Sequence, residues 1–186
     1  MKGVIFQEFI SMVETKFSLE IADKMMTSSS LLTGGAYASV GTYHHGEIVE
    51  MVGHLSVATG VKVPDLLRTF GQYLFKSLTM RYPNHIKNVP TTYALLSVLD
   101  SKIHVDVKKL YPDAELPKFQ VSNLDPEIMI LLYRSTRPFS DLAEGMINAA
   151  IQHFNESISV TREDIPCQEG AHTQFTLTKT NHADAR

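Results

Sequence analysis

The 186-residue chain predicts an α+β fold on three observations. Apolar residues recur at helical spacing through the first two thirds, the period drops to two near residue 117, and one more helical stretch interrupts the two-fold segments. A helical N-terminal lobe packed on a C-terminal antiparallel sheet with an inserted helix buries both kinds of apolar face. A chain of this length predicts one core: a single domain over 1–179, with a helical lobe over about 1–64, a second, sheet-bearing lobe over about 65–179, and a tail over 180–186.

Phe6, Phe9, Ile10, Val13 and Phe17 form the stripe of a first helix, and a short second helix follows around 19–30. SSSLLTGGAYASVGTYHHG, rich in Ser and Gly and without a period, is a loop. The next helix carries Ile48, Val52 and Leu55 and stops at Gly60. Pro64 and Asp65 suit the first turn of another, with Leu67, Phe70, Leu74 and Leu78 along one side and an end before Pro83. Thr91 or Thr92 caps a helix that buries Leu95, Leu96, Leu99, Ile103 and Val107 and stops by Leu110, because Pro112 and Pro117 follow. KFQVSNL, a turn at Asp125 and Pro126, and EIMILLYRSTR form a hairpin. SDLAEGMINAAIQHF is a helix capped by Ser140 or Asp141, with Leu142, Met146, Ala149 and Ala150 on one side, and ESISVTR and HTQFTLTK are the last two strands.

Seventeen Lys+Arg against twenty Asp+Glu leave a net charge of −3, so no cationic field draws in a phosphate backbone and nucleic acid is not an expected partner. The single cysteine, Cys167, cannot close an internal disulfide. Glu8, Glu14 and Lys16 interrupt the apolar start, which argues against a signal peptide or a membrane span. These features predict a cytoplasmic protein with no membrane partner. No nucleotide-binding glycine motif, nucleophile elbow or paired-carboxylate site stands out, so no enzyme is expected.

Tyr133, Ser135 and Arg137 are spaced by two, so a strand sets them on one face with Cα atoms about 6.6 Å apart. A phenol, a hydroxyl and a guanidinium fork are a row of donors matched to one or two carboxylates. Spacing alone favours the alternative, a solvated sheet face. His104 sits at the edge of its helix's apolar stripe, on the side of Tyr93, Ser97 and Asp100, either as a surface histidine beside Asp100 or as an axial metal ligand. His44, His45, His54, His85, His153 and His182 lack metal-site spacing and read as surface or satisfied core residues.

MKG at the start, His104 in a helix ahead of the Pro117 segment, and YRSTR at 133–137 together resemble the haem nitric oxide/oxygen binding (H-NOX) family, found alone in bacteria and as the haem domain of soluble guanylate cyclase. The resemblance runs from Met1 to about Lys179 and implies haem b, a ferrous iron protoporphyrin IX, bound between the helical lobe and the sheet, with its ligating residues on the second lobe. It makes His104 the proximal iron ligand, Tyr133, Ser135 and Arg137 the holders of the two propionates, and Pro117 the residue that presses on the porphyrin.

Oxygen-binding members place a tyrosine donor where this chain has Leu142, and its supporting positions fall on Phe9 and Leu74, none of which can donate. With Ile5 and Phe75 beside them the distal wall is apolar, which implies a sensor that binds nitric oxide and carbon monoxide and excludes dioxygen. Such a sensor signals by weakening of the iron–histidine bond to a separate partner, a histidine kinase or a cyclic-di-GMP enzyme. The alternatives are an oxygen sensor or a haem enzyme of peroxidase or oxygenase type, and the latter needs a distal His or Arg that the sequence does not offer. Where some relatives hold zinc, this chain has Ser140 and Leu142 in place of two cysteines, leaving Cys167 and His172 as at most half of a tetrahedral set.

Overall fold

Buried aromatic and methionine side chains draw the N-terminal helices together in the computed structural model, which describes residues 1–180; His182 and the rest of the 181–186 tail lie outside the described residues. Helices α1 (Gly3–Lys16) and α2 (Leu19–Ser28) are joined at Ser18, whose hydroxyl accepts from the Ile21 N–H and caps α2. Helix α3 (Gly46–Thr59) stops at Gly60, whose φ of +73° is the left-handed conformation that ends helices. Helix α4 (Val63–Arg81) closes this core, where Phe6, Met12, Met51, Leu55, Leu66 and Phe70 are buried. The α2–α3 loop is tied down by Glu47, a buried carboxylate that accepts from the Thr33 and Tyr37 hydroxyls at 2.6 Å each. Burial, and after it the bond to Glu47, push the Tyr37 phenol up to about 12.

Four antiparallel strands, β1 (Lys118–Leu124), β2 (Ile128–Ser135), β3 (Ile158–Asp164) and β4 (Ala171–Lys179), lie in the order β1-β2-β4-β3. Met129, Leu131, Tyr133, Phe175 and Leu177 alternate onto the inner face, which Ala143, Ile147 and Ile151 of α7 (Ser140–His153) cover. Helices α4 and α7 cross at two glycines. A Cβ at Gly71 would lie 2.3 Å from the Leu142 carbonyl oxygen, and one at Gly145 would lie 2.2 Å from that of Arg68. Beside the crossing, Arg68 of α4 and Arg162 of β3 both pair with Asp141 and Glu144 of α7, and Arg162 also pairs with Asp164.

The single helix expected over 92–110 is three segments: α5 (Thr92–Val98), a π-turn (Leu99–Ile103) and α6 (His104–Leu110). The wider ring of the π-turn slips the helical phase just before His104, so an angular position counted at 100° per residue does not hold there. Strand β2 ends at Ser135, which leaves Arg137 two residues beyond it. Among the described residues no helix is long and apolar enough to cross a membrane.

Candidate functional site

A cavity of about 340 Å³ opens where α4, α7, β1–β2 and the π-turn with α6 meet. His104 lines it, and the π-turn supplies the partner that orients the ring. The ring Nδ1 lies 2.8 Å from Asp100 Oδ1, and Asp100 Oδ2 accepts from the Phe119 N–H of β1 at 2.8 Å. A carboxylate at that distance selects the Nδ1–H tautomer and leaves the Nε2 lone pair as the ring's free ligand position. Burial pulls the His104 pKa below its ordinary value while Asp100 pulls it up, and burial wins, so the ring is a neutral imidazole near pH 7.

Hydrogen-bond donors gather at another edge of the same cavity. Tyr133 and Arg137 are only 3% and 7% exposed, which overturns a solvated sheet face for this row. The Ser135 hydroxyl accepts from the Arg137 N–H at 3.0 Å and holds the turn that brings the guanidinium back to the sheet. Arg137 donates through Nη1 to the Glu115 carbonyl at 2.9 Å and through Nη2 to the Glu115 carboxylate at 2.7 Å. Its buried Nε has no acceptor among the described residues. Such an orphan costs about 1–3 kcal/mol, a penalty that a ligand carboxylate removes. Burial also raises the Tyr133 phenol above its usual range, keeping it a donor.

Much of the remaining lining is apolar, with Thr79, Tyr82, His85 and Tyr111 among its polar side chains. Ile5 of α1, Leu74 and Phe75 of α4, and Leu142 and Met146 of α7 line the cavity, as do Leu116 and Pro117 ahead of β1. Phe9 is the exception among the expected distal residues. It sits one turn along α1 from Ile5, fully buried, with its ring edge-on to Phe70 at 5.1 Å, behind the wall rather than on it. An imidazole lone pair, a largely apolar cavity and an unsatisfied guanidinium donor fit an iron porphyrin with acidic substituents.

Asp100 and the Phe119 N–H have no place in a reading of the sequence by motif. The sequence sets the first beside His104, four residues before it, but gives it no role in orienting the ring. The second is main chain and leaves no mark in the sequence. His85 also lines the cavity, with Nδ1 buried and unpartnered among the described residues and Nε2 3.8 Å from Asp106, so it is not a satisfied core residue. At the start of α7 the Ser140 and Thr173 hydroxyls bond at 2.6 Å, His172 accepts from Arg134 Nε at 3.2 Å, and Cys167 is exposed in the β3–β4 loop.

The chain matches the family model described as Haem-NO-binding over residues 2–162. It is similar to the Fe(II) unliganded H-NOX protein from K. algicida at 35% identity and a TM-score of 0.91, over 100% of each chain. It is also similar to the IWP-051-bound H-NOX from Shewanella woodyi in the Fe(II)CO state, at 35% identity and a TM-score of 0.83, over 98% of this chain and 96% of that one. An H-NOX protein from S. oneidensis in the Fe(II)NO state shares the fold, with 24% identity and a TM-score of 0.86 over 97% of this chain and 100% of that one. No curated protein matches the chain.

Proposed function

This chain belongs to the Haem-NO-binding (H-NOX) family of haem-based gas sensor domains, and from that premise we propose that it senses nitric oxide and carbon monoxide at ferrous haem b and excludes dioxygen. When bound, haem would supply a ferrous iron that takes up a diatomic gas. His104 would hold that iron through Nε2, and Asp100 fixes the ring through Nδ1. Tyr133, Ser135 and Arg137 would hold the two propionates, and Pro117, which lines the same cavity, would pack against the group.

The observation that carries the choice of gas is the apolar wall of Ile5, Leu74, Phe75 and Leu142. Retaining dioxygen takes a hydrogen-bond donor against its negative charge, and none of these side chains donates. Nitric oxide and carbon monoxide need none, and the S. oneidensis and S. woodyi proteins have structures in the Fe(II)NO and Fe(II)CO states. Any movement of His104 is passed by Asp100 to the Phe119 N–H on β1, a short path from the pocket to the sheet. The receiver is a separate cytoplasmic protein, a histidine kinase or a cyclic-di-GMP enzyme.

Absorption spectra of the purified ferrous protein test this reading. A Soret band that shifts with carbon monoxide and with nitric oxide, and does not form a stable oxy spectrum in air, is the expected result. A colourless protein would overturn the haem site, and a long-lived oxy complex would overturn the gas selectivity.

A further inference from the structure

A second cavity, of about 320 Å³, adjoins the first at Arg137 and Glu115, which line both, and its outer wall is Tyr43, His44 and His45. The charged groups around it are nearly all committed. Lys2 Nζ bonds Asp113 at 3.1 Å and Thr42 at 2.9 Å, the Met1 amino group donates to the Tyr43 carbonyl at 2.7 Å, and the two terminal nitrogens of Arg137 go to Glu115. His44 Nδ1 accepts from the Gly46 N–H at 3.2 Å. His45 differs from all of these. Its ring is packed edge-on to Phe139 at 6.1 Å and against His44 at 4.8 Å, and among the described residues its nitrogens meet no hydrogen-bonding partner.

We propose that His45 is a second cationic partner for the carboxylate held by Arg137, so that haem is retained more tightly once His45 gains its proton. The proposal rests on the haem reading given above and extends it to a residue outside the Tyr-x-Ser-x-Arg row. His45 faces Arg137, His44, Lys2 and the Met1 amino group on the positive side, and Glu115 and Asp113 on the negative. Burial, then the neighbouring His44 and Arg137, hold its pKa below the ordinary value. A propionate at Arg137 offsets the guanidinium charge in that field and adds an acceptor. The pKa of His45 therefore rises when haem binds. By linkage its contribution to haem retention is complete below the haem-free pKa and lost as pH rises through the haem-bound one.

Haem transfer to excess apomyoglobin, followed between pH 5.5 and 8.5 for the whole chain and for His45→Gln, reads this directly. The general acid lability of the iron–histidine bond affects both proteins alike, so the ratio of their release rates isolates His45. A linked pKa rise of one unit corresponds to a ratio of about tenfold at the acid end, falling to about one at the alkaline end. The ratio stays near one at every pH when both proteins carry haem dimethyl ester, which has no propionate charge. NMR titration of the His45 ring in the diamagnetic carbon monoxide complex gives a higher pKa than in the haem-free chain. A ratio that does not vary with pH, or that varies equally with the ester, overturns the proposal while leaving haem binding intact. Failure of the purified chain to hold any haem overturns the underlying reading instead.

Discussion

Arg137 gathers its partners by lying just past the end of β2, where the chain turns and Ser135 can hold its N–H. Its guanidinium is buried and one donor is unsatisfied, whereas the Ser135 hydroxyl sits at the more open end of the strand. A charged hydrogen bond is worth about 1.5–3 kcal/mol and a neutral one about 0.5–1.5. Arg137→Ala is therefore expected to speed haem loss at least about tenfold and Ser135→Ala only several-fold, since water can replace a hydroxyl. Stopped-flow transfer to a haem scavenger measures both, and equal rates would show that Arg137 holds no more of the propionate charge than Ser135 does. The spacing of the three donors was legible in the sequence, but their burial was not, because periodicity assigns a face and not what covers it. His104 shows the same limit more sharply. No residue between Leu99 and Ile103 marks a π-turn, so the bond to Asp100 could be counted but not its direction.

The α4–α7 crossing is where two elements are fixed to each other by the lack of side chains. A methyl at Gly145 would meet the Arg68 main chain, which cannot swing aside, so the helices must part. Gly145→Ala is expected to cost about 1–3 kcal/mol. Gly53, on α3, meets nothing within 4 Å of an added Cβ, and Gly53→Ala is expected to be stabilising by up to about 1 kcal/mol through helix propensity. Urea unfolding separates the two: the Gly145→Ala midpoint falls, the Gly53→Ala midpoint rises, and the slope is unchanged in each. A neutral Gly145→Ala would mean that the crossing has slack. The helix and strand stretches were legible from their periods. Which helices touch was not, since Gly71 and Gly145 look like ordinary interruptions until a partner backbone is set against them.

At the scale of the molecule, Arg68 and Arg162 join α4, α7 and β3 through shared carboxylates, and Asp164 closes the set by accepting from Arg162 and from Thr173 at 2.8 Å. The bond from Arg162 holds the Asp164 carboxyl below its usual range. Its stabilisation is thus present above the unfolded-state pKa, about 3.9, and lost as pH falls through the lower folded one. Because the Asp164 side chain is 59% exposed, the effect is screened. Asp164→Asn is expected to lower stability at pH 7 by no more than about 1 kcal/mol, with the deficit shrinking below about pH 4. Urea midpoints for both proteins across that range check it, and a deficit that persists at pH 2 would assign the loss to packing. The α+β class could be read from the sequence because periods change along the chain, but the strand order could not, because no period says that the last strand lies between two earlier ones. That position has a consequence in time. During synthesis β1, β2, α7 and β3 emerge first, and β3 then has no neighbour to bond. Only when Ala171–Lys179 arrives does β2 gain its second partner, with Ser135 set opposite Ala171. The strand that carries Tyr133 and Ser135 is thus completed by the last of the four strands to be made, so a nascent chain carries His104 long before the sheet edge of its pocket is finished.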